Sequence, residues 1–213
     1  THSSLGGWAP GLVGNMIAGS YNAKYPELIA NRILKSIQMA EKKMKIGAWS
    51  FNELSMPSLI RNRLVGTQGV TDPYLKLIAL KSGIQEGIHV FYGAHATCLS
   101  SENKQMSRDY PGVFSDWMVS HTSLDFAIYS AGAVASMGPE IDTRQEFDRS
   151  QFIGEEIAKQ VALIHEFGFP YGDQLNLKFF RIPLFLRRPM VKISENWAFR
   201  PWIFNWAFGH YSL

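Results

Sequence analysis

The sequence predicts an α/β protein in which a layered mixed sheet is flanked by helices. Two segments, near residues 22–45 and 150–167, have the apolar spacing of amphipathic helices, and short apolar runs of strand length lie between them. Alternation of strands and helices is typical of one domain built from α/β layers. No internal repeat or low-complexity linker divides the 213 residues.

The amino-terminal part of the chain predicts a loop, a helix and a strand in that order. Residues 1–20 are rich in glycine and serine and predict a loop with close backbone approaches. A helix begins at Asn22, with Pro26 and Glu27 in its first turn and lysines at its carboxyl end that suit the helix dipole. Residues 46–51 predict a short strand. The apolar face of the helix consists of Leu28, Ile29, Ile33, Leu34, Ile37 and Ala40.

The middle of the chain predicts most of the sheet. Residues 52–70 are irregular in pattern, whereas 74–80 and 88–92 are apolar strands whose separation by Lys-Ser-Gly indicates a hairpin or adjacent strands. Residues 111–121 fit a short helix, and 124–129 fit another buried strand. The alternation of strand, helix and strand in this part fits the same α/β layer arrangement.

The carboxyl-terminal part predicts a second amphipathic helix and then a less regular region. The helix over 150–167 carries an inward apolar face and stops at Gly168. Residues 175–186 predict a long extended stretch. The segment 197–208 is dense in aromatic residues and predicts packing against the rest of the domain, with a membrane-surface contact or a lipid-binding wall as the alternatives.

Composition limits the classes of function. The hydrophobic content of 46% with 18% charged residues is typical of a globular protein. The net charge is only +3 and the basic residues form no aromatic-interleaved stripe, which argues against nucleic-acid binding. The single cysteine, Cys98, allows neither an intrachain disulfide nor a multi-cysteine metal site, and we expect an inert buried thiol rather than a nucleophile. The sequence shows no apolar run near the ~20 residues that span a bilayer and no signal-peptide pattern.

The residue most indicative of chemistry is His95. The apolar run 88–92 predicts a buried strand that delivers this histidine into a loop of small and polar residues. A histidine in such a place can be a metal ligand or a catalytic group, because the strand fixes the imidazole while the loop leaves room for a substrate. The alternative is a core histidine satisfied by a backbone carbonyl.

Four motifs, read in order, carry a family resemblance. The chain begins Thr-His-Ser-Ser-Leu-Gly-Gly over residues 1–7. Residues 58–63 read Ser-Leu-Ile-Arg-Asn-Arg, and residues 94–112 place His95 before a Ser/Asn-rich loop that closes in Asp-Tyr-Pro-Gly. Residues 132–139 read Gly-Ala-Val-Ala-Ser-Met-Gly-Pro. These segments resemble the neutral (non-lysosomal) ceramidase family, zinc-dependent amidohydrolases that cleave the N-acyl bond of ceramides.

The resemblance implies a role for one residue in each motif. His95 looks like a zinc ligand, and His2 resembles a histidine beside the metal that stabilises the oxyanion or moves a proton. Arg63 matches an arginine near the polar head of the substrate. Ser136 matches the active-site serine, as nucleophile or as a hydrogen-bonding partner of the substrate hydroxyls. Zinc in such a site would activate a water for attack on the amide at neutral pH.

The resemblance also implies that the chain is part of a larger catalytic domain. Residues 1–213 are expected to form one ceramidase-like α/β domain that is incomplete at both ends. A second zinc histidine would precede Thr1, and the carboxylate and tyrosine ligands would follow Leu213. Another departure is Ala135, where the family has an aspartate before its serine. The remaining ligands would come from other segments of the same polypeptide, from a partner chain, or from convergence of His121, His165, Glu195 or His210.

Three functions remain open at this point. The first is a zinc-dependent amidohydrolase that acts on ceramide or a related N-acyl lipid, exported to the periplasm, the exterior or a membrane surface as the resemblance implies. The second is a non-catalytic ceramidase-like module with a structural or interaction role, which the missing ligands and Ala135 favour. The third is an unrelated α/β hydrolase that pairs Ser136 with a histidine, although the residues before Ser136 depart from the Gly-x-Ser-x-Gly pattern.

Overall fold

The computed structural model describes residues 6–66, 68–172, 192–194 and 197–198. They fall into two compact units. One contains the described residues 45–172, and the other contains residues 6–44 together with the two short strands beyond residue 190. The expectation of a single domain over 1–213 stays a prediction. The predicted extended stretch 175–186 and all but two residues of the aromatic segment lie outside the described residues.

The unit that contains residues 6–44 carries two helices. Helix α1 spans Gly11–Ala18, where the sequence predicted a loop, and it ends at Gly19, whose positive φ of 79° suits a glycine at a helix terminus. Helix α2 spans Lys24–Glu41, close to the prediction. None of its residues is buried, and the predicted apolar face remains 44% to 56% exposed at its five large side chains. None of the helices in the described residues is long and apolar enough to cross a membrane.

The unit that contains residues 45–172 is built on a four-stranded mixed sheet in the order β1-β3-β4-β5. The strands of this sheet are β1 Ala48–Ser55, β3 Tyr74–Ser82, β4 Gln85–Tyr92 and β5 Phe126–Ala131. The helices α3 and α4 span Asp109–His121 and Glu146–Phe167, and the other strands are β2 Ile60–Asn62, β6 Met137–Pro139, β7 Lys192–Ser194 and β8 Trp197–Ala198. Strands β1, β3 and β4 are antiparallel neighbours, whereas β5 runs parallel to β4. The predicted hairpin is confirmed, with a turn at Gly83, whose φ is +62°.

The parallel pair β4 and β5 is joined by helix α3, which makes a strand–helix–strand crossover. Parallel neighbours require such a connection, since a tight turn cannot reverse the chain twice. Helix α3 packs on β5, and helix α4 packs on α3. The predicted α/β class, a layered mixed sheet with flanking helices, is therefore confirmed.

The core of this unit follows from two periodicities. Alternate residues of β3 and β4 are buried, and α3 buries residues four apart. Helix α4 adds a buried stripe with three- and four-residue spacing. The largest fully buried side chains are Tyr92, Tyr110, Phe114, Leu75, Leu77, Ile88, Met118, Ile153, Ile157, Val90 and Val161. This core fixes the start of α3 against the ends of the two parallel strands.

A second, two-stranded ribbon lies beside the sheet. Strand β2 pairs with β6 in antiparallel register, so that Asn62 lies opposite Met137. The sequence predicted irregular structure here, because strands of three residues carry too little alternation to be recognised. The ribbon brings chain segments about 75 residues apart into contact, with Ile60 opposite Pro139.

Candidate functional site

The candidate site lies where the parallel strands β4 and β5 end. The backbone amide of Gly132, just after β5, donates to the carbonyl of Tyr92 at 2.9 Å, so the two strand ends remain side by side. In open α/β sheets, ligands bind at the carboxyl ends of parallel strands, where loops diverge. His95 follows one of these strands and Ser136 follows the other.

Backbone hydrogen bonds join the three sequence motifs that the structure describes. The amide of His95 donates to the carbonyl of Met137 at 3.3 Å, and the amide of Arg63 donates to the carbonyl of Ser136 at 2.8 Å. Segments near residues 63, 95 and 136 therefore meet at one place, as a common site requires. His2 lies outside the described residues, and its position relative to the three stays a prediction.

Gly93 allows the close approach of the β4 end to the ribbon. A Cβ at this position would lie 3.0 Å from the terminal methyl of Met137, a tight contact to which that side chain would have to adjust. His95 itself is half-buried. The His95 backbone is held by the end of β4, by the close packing that Gly93 allows and by the hydrogen bond to the Met137 carbonyl.

Arg63 and Ser136 occupy the outer side of this place. Arg63 is exposed, and its aliphatic part lies across Gly138, where an added Cβ would meet its Cγ at 3.1 Å. Ser136 is half-buried, and no residue in the described ranges makes a hydrogen bond to its hydroxyl. The serine–histidine pair of the third hypothesis is therefore not formed among these residues.

The turn that carries Arg63 is organised by Asn62, which the sequence did not single out. The Asn62 side chain is buried, and its oxygen accepts the amides of Leu64 at 3.0 Å and Val65 at 3.2 Å. Its nitrogen donates to the carbonyl of Val70 at 3.1 Å. An asparagine that satisfies backbone groups on both sides of a turn fixes its conformation, so Asn62 determines where Arg63 projects.

The buried Tyr110 and the half-buried Tyr129, also missed from the sequence, hold the chain just before His95. The Tyr110 hydroxyl donates to the carbonyl of Ala94. It also lies 2.6 Å from the Tyr129 hydroxyl, which is 3.2 Å from the carbonyl oxygen of Tyr92. Burial raises the pKa of both phenols above its ordinary value, so each stays protonated and able to donate at neutral pH.

Two carboxylates hold the chain just after His95. The buried Asp109 accepts the amide of Cys98 at 2.9 Å, and Glu146 accepts the amide of Ser100 at 3.2 Å. Both acidic residues begin helices and have positive φ values, 53° and 51°, which non-glycine residues rarely adopt. Hydrogen bonds from Ser100 and then Asn103 lower the pKa of the Glu146 carboxyl, so it is charged at neutral pH.

The thiol in this loop is buried, as predicted. Cys98 is buried, and burial, followed by the neighbouring Asp109 carboxylate, raises the pKa of its thiol. A thiol held protonated is a poor nucleophile and a poor metal ligand. Cys98 therefore contributes packing and a backbone amide rather than chemistry.

The described residues do not fit a complete zinc site. A catalytic zinc normally has three protein ligands, and within the described ranges no group of three His, Cys, Asp or Glu side chains is placed to hold a metal ion. His95 is the candidate donor that the resemblance supplies. Of the convergence candidates, Glu195 and His210 lie outside the described residues.

The other two convergence candidates, His121 and His165, do not approach His95. His121 is at the far end of α3, about 18 Å from its start at 1.5 Å per residue, and stacks on Trp117. His165 lies 3.8 Å from Glu86, which is at the opposite end of β4 from His95. Convergence of either imidazole with His95, which is one of the alternatives above, is therefore not formed among the described residues, because each histidine lies at the far end of its element.

Fold and site together define an α/β protein with a polar site at the ends of two parallel strands, and solved structures share this architecture. The neutral ceramidase from Pseudomonas aeruginosa matches with a TM-score of 0.67 and 19% identity over 78% of this chain and 30% of that chain. A ceramidase complexed with C2 matches with a TM-score of 0.65 and 19% identity, over 78% and 29%.

The chain therefore has a neutral ceramidase-like fold, which confirms the fold that the motifs implied. It spans about three tenths of the length of the solved ceramidases that it matches. No family model matches the sequence, and no curated protein does.

Proposed function

We propose that this chain is part of a ceramidase-like amidohydrolase that cleaves the N-acyl bond of ceramide or a related N-acyl lipid. The observation that carries the proposal is the meeting of His95, Ser136 and Arg63 through backbone hydrogen bonds at the ends of β4 and β5. These three segments are far apart in sequence, and their contact is what the resemblance to the ceramidase motifs implies. The ceramidase-like fold supports the same conclusion.

In this proposal Arg63 and Ser136 bind the polar part of the substrate. An exposed guanidinium supplies several donors in a fixed plane, which suits the hydroxyl and carbonyl oxygens of a sphingoid head group. The Ser136 hydroxyl, which is half-buried, would bond to a substrate hydroxyl. His2, which lies outside the described residues, is assigned to proton transfer or oxyanion stabilisation by resemblance.

The proposed cofactor is zinc, with His95 as one donor. Because the described residues offer no group of three donors, the other ligands must come from outside the ranges described above. They would belong to further segments of the polypeptide or to a partner chain. Action on a lipid at a membrane surface, in an exported protein, completes the proposal and rests on the ceramidase likeness.

The experiment uses the longest available polypeptide that contains this chain. Zinc content is measured by mass spectrometry, and release of fatty acid from a short-chain ceramide is followed for the unmodified protein, His95→Ala and His121→Ala. His121 is the matched control, an exposed histidine at the opposite end of α3 from Asp109, about 18 Å along the helix at 1.5 Å per residue. We expect loss of zinc and of turnover in His95→Ala alone. Zinc content and turnover that survive His95→Ala refute the assignment.

The second candidate function is a non-catalytic module, favoured by Ala135 and by the incomplete donor set of the described residues. It predicts a folded polypeptide that holds no zinc and releases no fatty acid, yet binds vesicles that contain ceramide. Restoring the acidic residue with Ala135→Asp distinguishes the two. A gain of hydrolysis favours a decayed enzyme, and no gain favours an interaction role.

A further inference from the structure

Two consecutive residues at the start of helix α3 hold the backbone on both sides of His95. The Tyr110 hydroxyl donates to the carbonyl of Ala94, one residue before the histidine. The Asp109 carboxylate accepts the amide of Cys98, three residues after it, at 2.9 Å. Both side chains are buried, at 6% exposure for Asp109 and 0% for Tyr110. The loop that carries His95 is thus fastened at each end to one rigid helix.

The conformation of Asp109 is unusual and is maintained by its contacts. Its φ of 53° lies in the left-handed region, which costs energy for a residue with a side chain. The second carboxylate oxygen accepts the amide of Tyr110 at 2.6 Å, and the amide of Asp109 donates to the Ser107 hydroxyl oxygen at 2.9 Å. Asp109 and Tyr110 can therefore bond to opposite ends of the loop over residues 94–98 only while Asp109 keeps this backbone conformation.

We propose that Asp109 and Tyr110 are positioning residues that set the orientation of the His95 imidazole. The inference rests on the proposed function for its chemical purpose, because it assigns the pair to the candidate metal-binding histidine. Neither residue touches substrate or metal in this proposal. Each acts through the backbone, by fixing residues 94 and 98 so that the intervening imidazole keeps one direction.

The test compares two buried tyrosines. Tyr110→Phe and Tyr92→Phe each remove one hydroxyl from a fully buried ring, but the Tyr92 hydroxyl donates to the carbonyl of Met56, away from the His95 loop. Both variants should lose similar thermal stability. The diagnostic measurement is the ring ¹H–¹³C NMR signal of His95, assigned with His95→Gln, together with hydrogen exchange of the His95 and Cys98 amides.

We expect Tyr110→Phe to move the His95 signal and to speed exchange of these amides at least about tenfold, as local opening does, while Tyr92→Phe does neither. Equal His95 signals and exchange in the two variants overturn the inference. If Tyr110→Phe does not fold, Asp109→Asn, which keeps the shape and removes the charge, must produce the same change at His95. An unmoved signal there also overturns it.

The readout separates this inference from the proposed function, because it needs neither zinc nor substrate. A moved His95 signal in a polypeptide that has no hydrolytic activity sustains the positioning role and refutes the amidohydrolase. An active polypeptide whose His95 signal is unchanged by Tyr110→Phe supports the amidohydrolase and refutes the positioning role. Where activity exists, we expect Tyr110→Phe to lower kcat with little change in KM, since substrate contacts are untouched.

Discussion

Replacement of Gly154 by alanine tests how closely helices α3 and α4 must pack. Gly154 is buried in the middle of the 22-residue helix α4. A Cβ there would lie 2.6 Å from Cβ and 2.7 Å from Cγ1 of Val113, and 2.8 Å from the carbonyl oxygen of Tyr110. Carbon atoms pack favourably at about 3.5–4.0 Å, so the helices must separate by about 1 Å.

Two opposing contributions determine how much Gly154→Ala changes the free energy of unfolding. Alanine favours a helix over glycine by about 1 kcal/mol, whereas inserting a methyl group into a packed interior costs about 1–3 kcal/mol. Two of the three contacts are a Cβ and a carbonyl oxygen, which cannot rotate away, so we place the cost at its upper end. The net loss is then about 1–2 kcal/mol, or about 4–8 °C in Tm for a unit of this size.

Urea unfolding followed by tryptophan fluorescence measures the effect as a lower midpoint at constant slope. The control is a double-mutant cycle with Val113→Ala, which removes the Cγ1 contact and should recover about 0.5–1 kcal/mol of the loss. A midpoint that stays the same or rises in Gly154→Ala would refute the reasoning, because the gain in helix preference would then exceed the cost of packing.

Three further substitutions, Gly87→Ala, Asn62→Ala and Glu146→Gln, test a close contact in the sheet, the turn before Arg63 and the loop after His95. Gly87→Ala should cost less than about 1 kcal/mol although its Cβ would lie 2.2 Å from the Phe126 ring, because that ring is 40% exposed and can swing outward; urea midpoints decide this. Asn62→Ala should cost about 1–3 kcal/mol through unsatisfied turn groups and should speed tryptic cleavage of the turn; unchanged cleavage contradicts it. The folded pKa of Glu146 lies below its unfolded value, so its stabilisation is present above the unfolded pKa and is lost as pH falls through the folded pKa. An NMR titration of the Ser100 amide should show this acidic midpoint, and Glu146→Gln should abolish it.

The regular elements could be predicted because each carries a long periodic signal. Helix α4 and the hairpin β3–β4 match their patterns closely, since a buried face repeats over several turns or residues. Helix α1 was missed because its five-glycine neighbourhood is typical of a loop. The three-residue strands β2 and β6 were missed because they exist only through pairing with each other, and pairing across 75 residues leaves no local signal.

The candidate site could be predicted only in part. His95 was singled out by its place after a buried strand, and Arg63 and Ser136 by resemblance, and backbone hydrogen bonds bring the three segments together. Tyr110 and Tyr129 could not be found, because a tyrosine on an apolar face has the sequence signature of a core residue, and its hydroxyl partner is a backbone carbonyl. Only the Asp-Tyr-Pro-Gly close of the second motif marked the position of Tyr110 in the sequence.

Two groups of residues at the site differ in where they lie and in what they contact. Side chains with chemical capacity, His95, Arg63 and Ser136, project from loops and a turn, where the sequence is free to vary without loss of the core. The residues that we propose orient two of them, Tyr110 for His95 and Asn62 for Arg63, are buried and bond to backbone atoms. A substitution of an orienting residue should therefore disturb the site while leaving all three side chains in place. For that reason the motifs alone are insufficient evidence of activity, and a chain that keeps His95 but loses Tyr110 should be tested before it is counted as a hydrolase.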